Sequence, residues 1–425
     1  MVSLAADLAF RGLVHQVTDD RVPARLDGPP LTAYIGFDPT ADSLHVGHLV
    51  QLCNLRRLQL AGHRPIALAG GGTGMIGDPG GKSEERQLLS ADELAHNLRA
   101  VRGQLERFLD FSTASNAALL LDNGEWLGSV GLLEFLRDVG KHFTVNQMVA
   151  KESVRARLER PEQGISFTEF SYMLLQAYDF LHLFDEHGCT LQLGASDQWG
   201  NITMGIELVR KVRRAEVFGL TTPLVLKTDG TKFGKTESGT VWLDPARTSP
   251  FRLYQFFLRA EDADVGAYLR YFTFLDHETI RSLDEATAER PERREAQRAL
   301  ARDVTALLHG EAEAARAEQA SVALYSEEIA TLGERTLLEV CDEAPSSALA
   351  RSVLEGGYPL VDALAASGLV ASKNQARAAI SGGGAYVNNR RVDDVDARLG
   401  ADDLLFGKYA LLRRGRRDYH LVRFE

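Results

Sequence analysis

Two short segments carry residue types that could handle a nucleoside triphosphate: His45-Val46-Gly47-His48 and, far downstream, Lys232-Phe233-Gly234-Lys235-Thr236. The first follows a strand-like run, Leu31 to Phe37, through Asp38-Pro39-Thr40 into a helical pattern in which Val46, Leu49, Val50 and Cys53 recur at i, i+3, i+4 and i+7. Such a helix packs one stripe on a sheet and turns its N-terminus outward, where free amides and the positive dipole end suit phosphate. Gly47 allows close approach and Thr40, His45 and His48 supply hydrogen bonds, with Gly36 and Asp38 on the strand leading into them. The second segment reads as a basic loop able to close over developing charge. Taken singly, the histidines are equally compatible with a helix cap, and the lysines with solvated surface.

A third constellation lies on the helix opened by Ser166, where Tyr172, Gln176 and Asp179 are spaced i, i+4, i+7 along an otherwise apolar stripe. Polar side chains that face a core need partners, either structural or ligand. Tyr34, on the strand face of Thr32 and Gly36, could complete a pocket there. Asp197, after the run Cys189 to Gly194, is placed to accept bonds from ribose hydroxyls at a strand's carboxyl end. The run Gly70 to Ser83 matches G-x-G-x-x-G at Gly72 to Gly77 and the end of a P-loop at Gly81-Lys82-Ser83. Asp78-Pro79-Gly80-Gly81 cannot continue as the helix a dinucleotide fingerprint requires, and the first P-loop glycine falls on Ile76, so both readings are set aside. What remains is backbone open to a ligand, Asp78 facing a cationic group, and Lys82 and Arg86 available to phosphate. No metal-ligand cluster or nucleophile–base pair is evident.

The elements that must position these groups alternate strand and helix over residues 31 to 220, the mark of a parallel sheet covered by helices. Candidate strands are Leu31 to Phe37, Ile66 to Gly70, Ala117 to Leu121, Cys189 to Gly194 and Pro223 to Leu226. Ser90 with Glu93 and Ser166 with Glu169 have capping-box spacing. The expected division is a Rossmann-like α/β catalytic domain at 1–220 with a helical insertion around 126–161. A motif loop region at 221–248, a helical domain at 249–330, a linker at 331–355 and a small α+β domain at 356–425 follow.

The two motifs, in this order and separation, resemble the HIGH and KMSKS sequences of class I aminoacyl-tRNA synthetases. With the intervening residues, the chain resembles the bacterial-type tyrosyl-tRNA synthetase family over nearly its whole length. The resemblance implies that Tyr34 and Asp179 bond a tyrosine phenol, that Asp78, Tyr172 and Gln176 hold its ammonium, and that Gln192 and Gln198 orient it. It implies ATP binding by Gly36, Asp38, Thr40, His45, Gly47, His48, Asp197 and Lys235. Thr40, His45, His48, Lys82, Arg86, Lys232, Lys235 and Thr236 would act on the transferring phosphate. ATP enters as its Mg2+ complex, with no prosthetic group or structural metal. The partners implied are tRNA(Tyr), L-tyrosine, ATP and a second copy in a homodimer, with the 126–161 insertion contributing to the dimer interface. Ser372 to Arg377, the Gly382–Gly384 turn and Val387-Asn388 resemble the S4 RNA-binding fold. Ala195 and Ile35 depart from residues common in the family, glycine and cysteine, and touch nucleotide fit alone.

Composition is consistent with this reading. The chain has 425 residues, too many for one ordinary core. Its net charge of −11 hides a split: residues 351–425 hold 12 Lys and Arg against 9 Asp and Glu, and the preceding residues 36 against 50. The basic side chains Lys373, Arg377, Arg390, Arg391, Lys408, Arg413, Arg414, Arg416 and Arg417 are therefore candidate RNA contacts. Without a long apolar run or a signal-peptide pattern at the N-terminus, a cytoplasmic protein with no membrane partner is expected. Cys53, Cys189 and Cys341 lie in apolar runs and read as buried thiols. Three other readings stay open: a tryptophan-specific relative, a non-catalytic RNA-binding descendant, and a nicotinamide-dependent oxidoreductase.

Overall fold

The computed structural model describes residues 2–78, 89–112, 115–159, 164–228, 230, 233–236, 239–323, 326–341, 344–415 and 418–425. The chain forms two compact units, one of residues 1–247 and 260–296, the other of 248–259 and 297–425.

The first unit is built on a six-stranded sheet: β1 (Gln16–Val17), β2 (Thr32–Phe37), β3 (Arg64–Ala69), β4 (Leu119–Asp122), β5 (Cys189–Ala195) and β6 (Phe218–Thr222), in the order β1-β6-β5-β2-β3-β4. All pairings are parallel except β1 with β6. The order reverses at β2, between β3 and β5, the switch point where such sheets open a crevice at their carboxyl ends. This is the Rossmann-like arrangement.

Four of the five expected strands form. The last is displaced, because Pro223 lacks an amide for the ladder and the strand ends before it, at Thr222. Its residues Phe218 to Thr222 are all buried, so the alternation that marks a half-exposed strand is missing. Ser90 and Glu93 form the full capping box. Ser166 accepts the amide of Glu169, but the Glu169 carboxylate turns inward to Arg157, at 2.9 Å. Both side chains are buried, and Arg157 also donates to the Gly164 carbonyl. This clasp ties the helices between β4 and the Phe167–His187 helix to that helix. All three cysteines are buried free thiols.

In the second unit, the Pro250–Leu258 helix packs with the Glu311–Ala323 helix, and Gln255 donates to Ser321 across them at 2.8 Å. The stretch 331–355 contains a helix, Glu334–Val340, and a strand, Ser346–Leu349. That strand is the parallel edge of a five-stranded sheet otherwise made of Ala385–Val387, Arg390–Val392, Tyr409–Arg414 and Asp418–Phe424. One face of this sheet packs Ala410, Leu412 and Val422 with Leu360, Leu364 and Ile380 of two short helices. The opposite face packs Leu411 and Leu421 with Ile329, Leu337 and Val340. The unit is helical and α+β together, with one sheet serving both cores.

Removing one member of a buried ion pair strands the other charge. Glu169→Ala is therefore expected to cost the first unit about 3–5 kcal/mol, seen as an earlier urea transition. Arg157→Leu with Glu169→Leu should restore most of it.

Candidate active site

His45 lies in extended backbone and caps a short 3-10 turn, Val46–His48, that runs into the Leu49–Leu60 helix. Its imidazole accepts the Gly47 amide at 3.1 Å, and His48 Nδ1 accepts the His45 amide at 3.2 Å. The two rings stack at 3.9 Å. The Val46 amide donates to the Val241 carbonyl at 3.0 Å. The expectation of free amides at this helix start therefore needs correction: the imidazoles and the 241 backbone already satisfy them, and side chains of the turn are left to meet a ligand. Gly36 and Thr40 are exposed and Asp38 is half-buried.

The second motif reaches the first through its backbone. Lys235–Thr236 pairs antiparallel with Gly239–Thr240, and the Val241 amide donates to the Gly234 carbonyl at 3.0 Å. Gly234 has φ +83°, and a Cβ there would come within 2.6 Å of Val46 Cγ2. Only glycine permits both that conformation and that approach. Trp242 meets the His45 ring edge-on at 6.1 Å, and the Leu243 amide donates to the Leu44 carbonyl. The structure thus brings the two segments together. Lys232, Lys82 and Arg86 lie outside the described residues.

Beside these motifs the polar stripe of the Phe167–His187 helix enters two hydrogen-bond chains. In the first, Tyr172 donates to Asp38 Oδ2 at 2.9 Å and Thr73 donates to Asp38 Oδ1 at 2.7 Å. Asn123 Nδ2 donates to Thr73 at 3.0 Å and to Asp179 Oδ2 at 2.9 Å, while Trp126 Nε1 donates to Asp179 Oδ1 at 2.8 Å. In the second, Gln198 Nε2 donates to Asp78 Oδ2 at 2.6 Å, Gln176 donates to Gln198 Oε1 at 3.1 Å, and Asn201 donates to Gln176 Oε1 at 3.0 Å. Gly70 lets the β3 end lie on the first chain, since a Cβ there would fall 2.1 Å from Asp38 Oδ1.

Two groups in this pocket are buried with a polar atom unsatisfied among the described residues: the Tyr34 hydroxyl and Gln192 Oε1. Asp179 is 2% exposed. Burial pushes its carboxyl up to about 7, against the pull of the Asn123 and Trp126 donors. Burial, with the neighbouring Asp179 charge, raises the Tyr34 phenol well above its ordinary range; burial and Asp38 do the same for Tyr172. The arrangement offers a buried hydroxyl and a buried carboxyl to a ligand hydroxyl. Tyr172 is buried, Asp78 and Gln176 are half-buried, and Asp197 is exposed just after β5.

Sequence alone assigns no individual role to Asn123, Trp126, Thr73 or Asn201. The available signal was position: Asp122-Asn123-Gly124 directly follows β4, at the carboxyl end where α/β sheets place ligand groups.

Of the basic residues near the C-terminus, Arg377, Arg390, Arg391 and Arg414 are exposed. Lys373 pairs with Asp362 at 2.8 Å and Lys408 with Glu334 at 3.1 Å. Arg413 does not belong to an exposed strip. Strand alternation puts it on the Leu411 face, 8% exposed, with its guanidinium 3.8 Å from the Tyr386 ring centre. Arg416 and Arg417 lie outside the described residues.

A carboxyl raised above its unfolded value favours folding fully at low pH and loses that contribution as pH climbs through the folded pKa. Relative to Asp179→Asn, the unaltered protein should therefore lose stability as pH rises from about 4 to about 7, then run parallel to the variant. Paired urea titrations of the first unit across this range check it; a pH-independent difference would mean that Asp179 is ionised throughout.

Comparison with known proteins agrees with this geometry. Residues 26–326 match the family model of class I tRNA synthetases (W and Y), and residues 338–422 match that of the tyrosine–tRNA ligase SYY-like C-terminal domain. The chain is 55% identical to the tyrosine–tRNA ligase of Roseiflexus castenholzii over 100% of both chains, and 51% identical to that of Geobacillus stearothermophilus, again over 100% of both. A C-terminally truncated mitochondrial tyrosyl-tRNA synthetase from Aspergillus nidulans superimposes with a TM-score of 0.70 at 33% identity, covering 76% of this chain and 95% of that one. With both motifs in contact beside a polar pocket at the switch point, the chain belongs to the bacterial-type tyrosyl-tRNA synthetases of class I.

Proposed function

We propose that this protein is a tyrosine–tRNA ligase whose amino-acid specificity resides in the enclosed pocket of Tyr34 and Asp179. The observation that carries the reading is the buried Tyr34 hydroxyl, without a hydrogen-bond partner among the described residues, beside the Asp179 carboxyl. A ligand phenol would pair with that hydroxyl and meet the carboxyl, whereas phenylalanine would leave the Tyr34 hydroxyl unpaired. An indole N–H could donate to one of the two groups but offers no acceptor to the Tyr34 hydroxyl.

In the first step a tyrosine carboxylate oxygen attacks the α-phosphorus of MgATP. A P–O bond forms to give tyrosyl-adenylate, and the bond to pyrophosphate breaks. In the second, a terminal ribose hydroxyl of tRNA(Tyr) attacks the tyrosyl carbonyl and AMP leaves. Neither step requires a covalent enzyme intermediate; positioning and stabilisation of developing charge suffice. Asp78, Tyr172 and Gln176 hold the substrate ammonium, Gln192 and Gln198 orient the amino acid, and Asp197 bonds the ribose. Gly36, Asp38 and Gly47 shape the nucleotide side. Thr40, His45, His48, Lys82, Arg86, Lys232, Lys235 and Thr236 meet the phosphates.

The working form is a homodimer joined through the 126–161 insertion. Support comes from Leu132, Leu133, Leu136 and Val145, which expose 71%, 81%, 48% and 64% of their surface on adjoining short helices. A cluster of that kind marks an interaction surface. The C-terminal α+β portion is an S4-like RNA-binding domain that grips tRNA phosphates through Arg377, Arg390, Arg391 and Arg414, with Lys373 and Lys408 exchanging their carboxylate partners for phosphate. The protein acts in the cytoplasm.

Amino-acid-dependent exchange between ATP and pyrophosphate, run over the twenty amino acids, tests the activity. Tyrosine should support it and tryptophan should not; preference for tryptophan would overturn the pocket assignment. Tyr34→Phe should erode discrimination against phenylalanine by roughly five- to a hundredfold, the worth of one buried hydroxyl left or not left unpaired.

Leu132→Asp with Leu133→Asp should convert the dimer to a monomer in sedimentation while the far-UV spectrum stays unchanged. A monomeric unaltered protein would refute the interface.

A further inference from the structure

The contacts that hold the second motif come, in large part, from one face of one helix. In the Asp262–Phe272 helix, Asp264, Tyr268 and Phe272 are spaced i, i+4, i+8 and so lie on a single stripe. Asp264 is 7% exposed, and its Oδ1 accepts both the backbone amide of Thr228, at 3.0 Å, and the Thr228 hydroxyl. One turn on, Tyr268 packs against the Phe233 ring at 4.7 Å; a turn further, Phe272 stacks on it at 5.1 Å with the planes 18° apart. Phe233 is itself buried and lies between the two lysines of its segment.

The far end of this helix is fixed to the first motif's own helix. Arg57, of the Leu49–Leu60 helix, donates to the carbonyls of Arg270, Tyr271 and Thr273, and Arg11 donates to those of Arg270, Thr273 and Leu275. Both arginines are buried, and they satisfy carbonyls that a helix C-terminus leaves without partners. A closed frame results: first-motif turn, Leu49–Leu60 helix, Arg57, Asp262–Phe272 helix, Asp264 and Phe233, then Gly234 against Val46.

We propose that Asp264 is a positioning residue for ATP activation, fixing the start of the second motif so that its lysines address the phosphates. It touches no substrate and acts through Thr228. This rests on the reading of the protein as a tyrosine-activating enzyme, which tyrosine-dependent exchange by the unaltered protein checks separately.

The role separates from general support of the fold by where the loss falls. Asp264→Ala removes the acceptor, while Asp264→Asn keeps an oxygen able to accept both bonds. Tyrosine affinity, followed by equilibrium dialysis without ATP, should stay within about twofold for both variants, because the tyrosine pocket lies on other elements. Single-turnover adenylate formation should slow by about ten- to a hundredfold in Asp264→Ala, the scale for misplaced reacting groups. Asp264→Asn should retain most of the rate.

Combining Asp264→Ala with Lys235→Ala supplies the decisive readout. If Asp264 acts by placing the motif, the second substitution should cost much less in the variant than in the unaltered protein. Additive losses, an unchanged rate in Asp264→Ala, or a rate loss matched by tyrosine affinity and by an earlier unfolding transition would each overturn the proposal. Absence of tyrosine-dependent exchange in the unaltered protein would instead remove the reading on which it rests.

Discussion

The organisation of the catalytic unit depends on a carboxyl that is almost wholly buried. Asp179 sits on the inward stripe of a long apolar helix, and such a group is tolerable only if donors converge on it. Asn123 and Trp126 supply those donors from the segment after β4, and Asn123 also binds Thr73, which bonds Asp38, which bonds Tyr172. Satisfying one acid therefore fixes the carboxyl ends of β2, β3 and β4 and the Phe167–His187 helix relative to one another. Two donors do not fully offset its desolvation, which is why the carboxyl titrates near neutrality.

Around that fixed floor, the nucleotide side is assembled mainly through backbone. Main-chain bonds link the two motifs through Val241, which accepts from Val46 and donates to Gly234, and Gly234, with no Cβ, lies against Val46. Their side chains are thus relieved of holding the contact. His45 and His48 are partly engaged in capping their own turn, so the same rings that could meet phosphate also keep that turn in shape.

The boundary between the compact units does not follow the order of the chain. Residues 248–259 belong with 297–425, whereas 260–296 belong with the catalytic unit. The physical reason lies in the buried stripes: Asp264, Tyr268 and Phe272 are committed to the second motif, while Gln255 is committed to Ser321. Composition across this region is uniformly helical and contains no record of which stripe goes where. In the α+β portion the same sheet carries two cores, and alternation along Tyr409–Arg414 sends Arg413 inward, although it stands in a run of basic residues.

Local and periodic features are legible along the chain: the parallel strands expected from Leu31, Ile66, Ala117 and Cys189, which form from Thr32, Arg64, Leu119 and Cys189, the Ser90 cap, the polar stripe of Tyr172, Gln176 and Asp179, and the two motifs. These follow from neighbours a few residues apart, which sequence displays. What tertiary structure decided was partnership. That Glu169 abandons its cap for Arg157, that Asn123 and Trp126 serve Asp179, and that Asp264 serves Thr228 depend on groups brought together from distant segments. A strand ending at Thr222 instead of beginning at Pro223 was likewise hidden, because Phe218 to Thr222 is buried on both faces and carries no alternation. Periodicity reports which face turns inward; only the packed fold reports what it meets there.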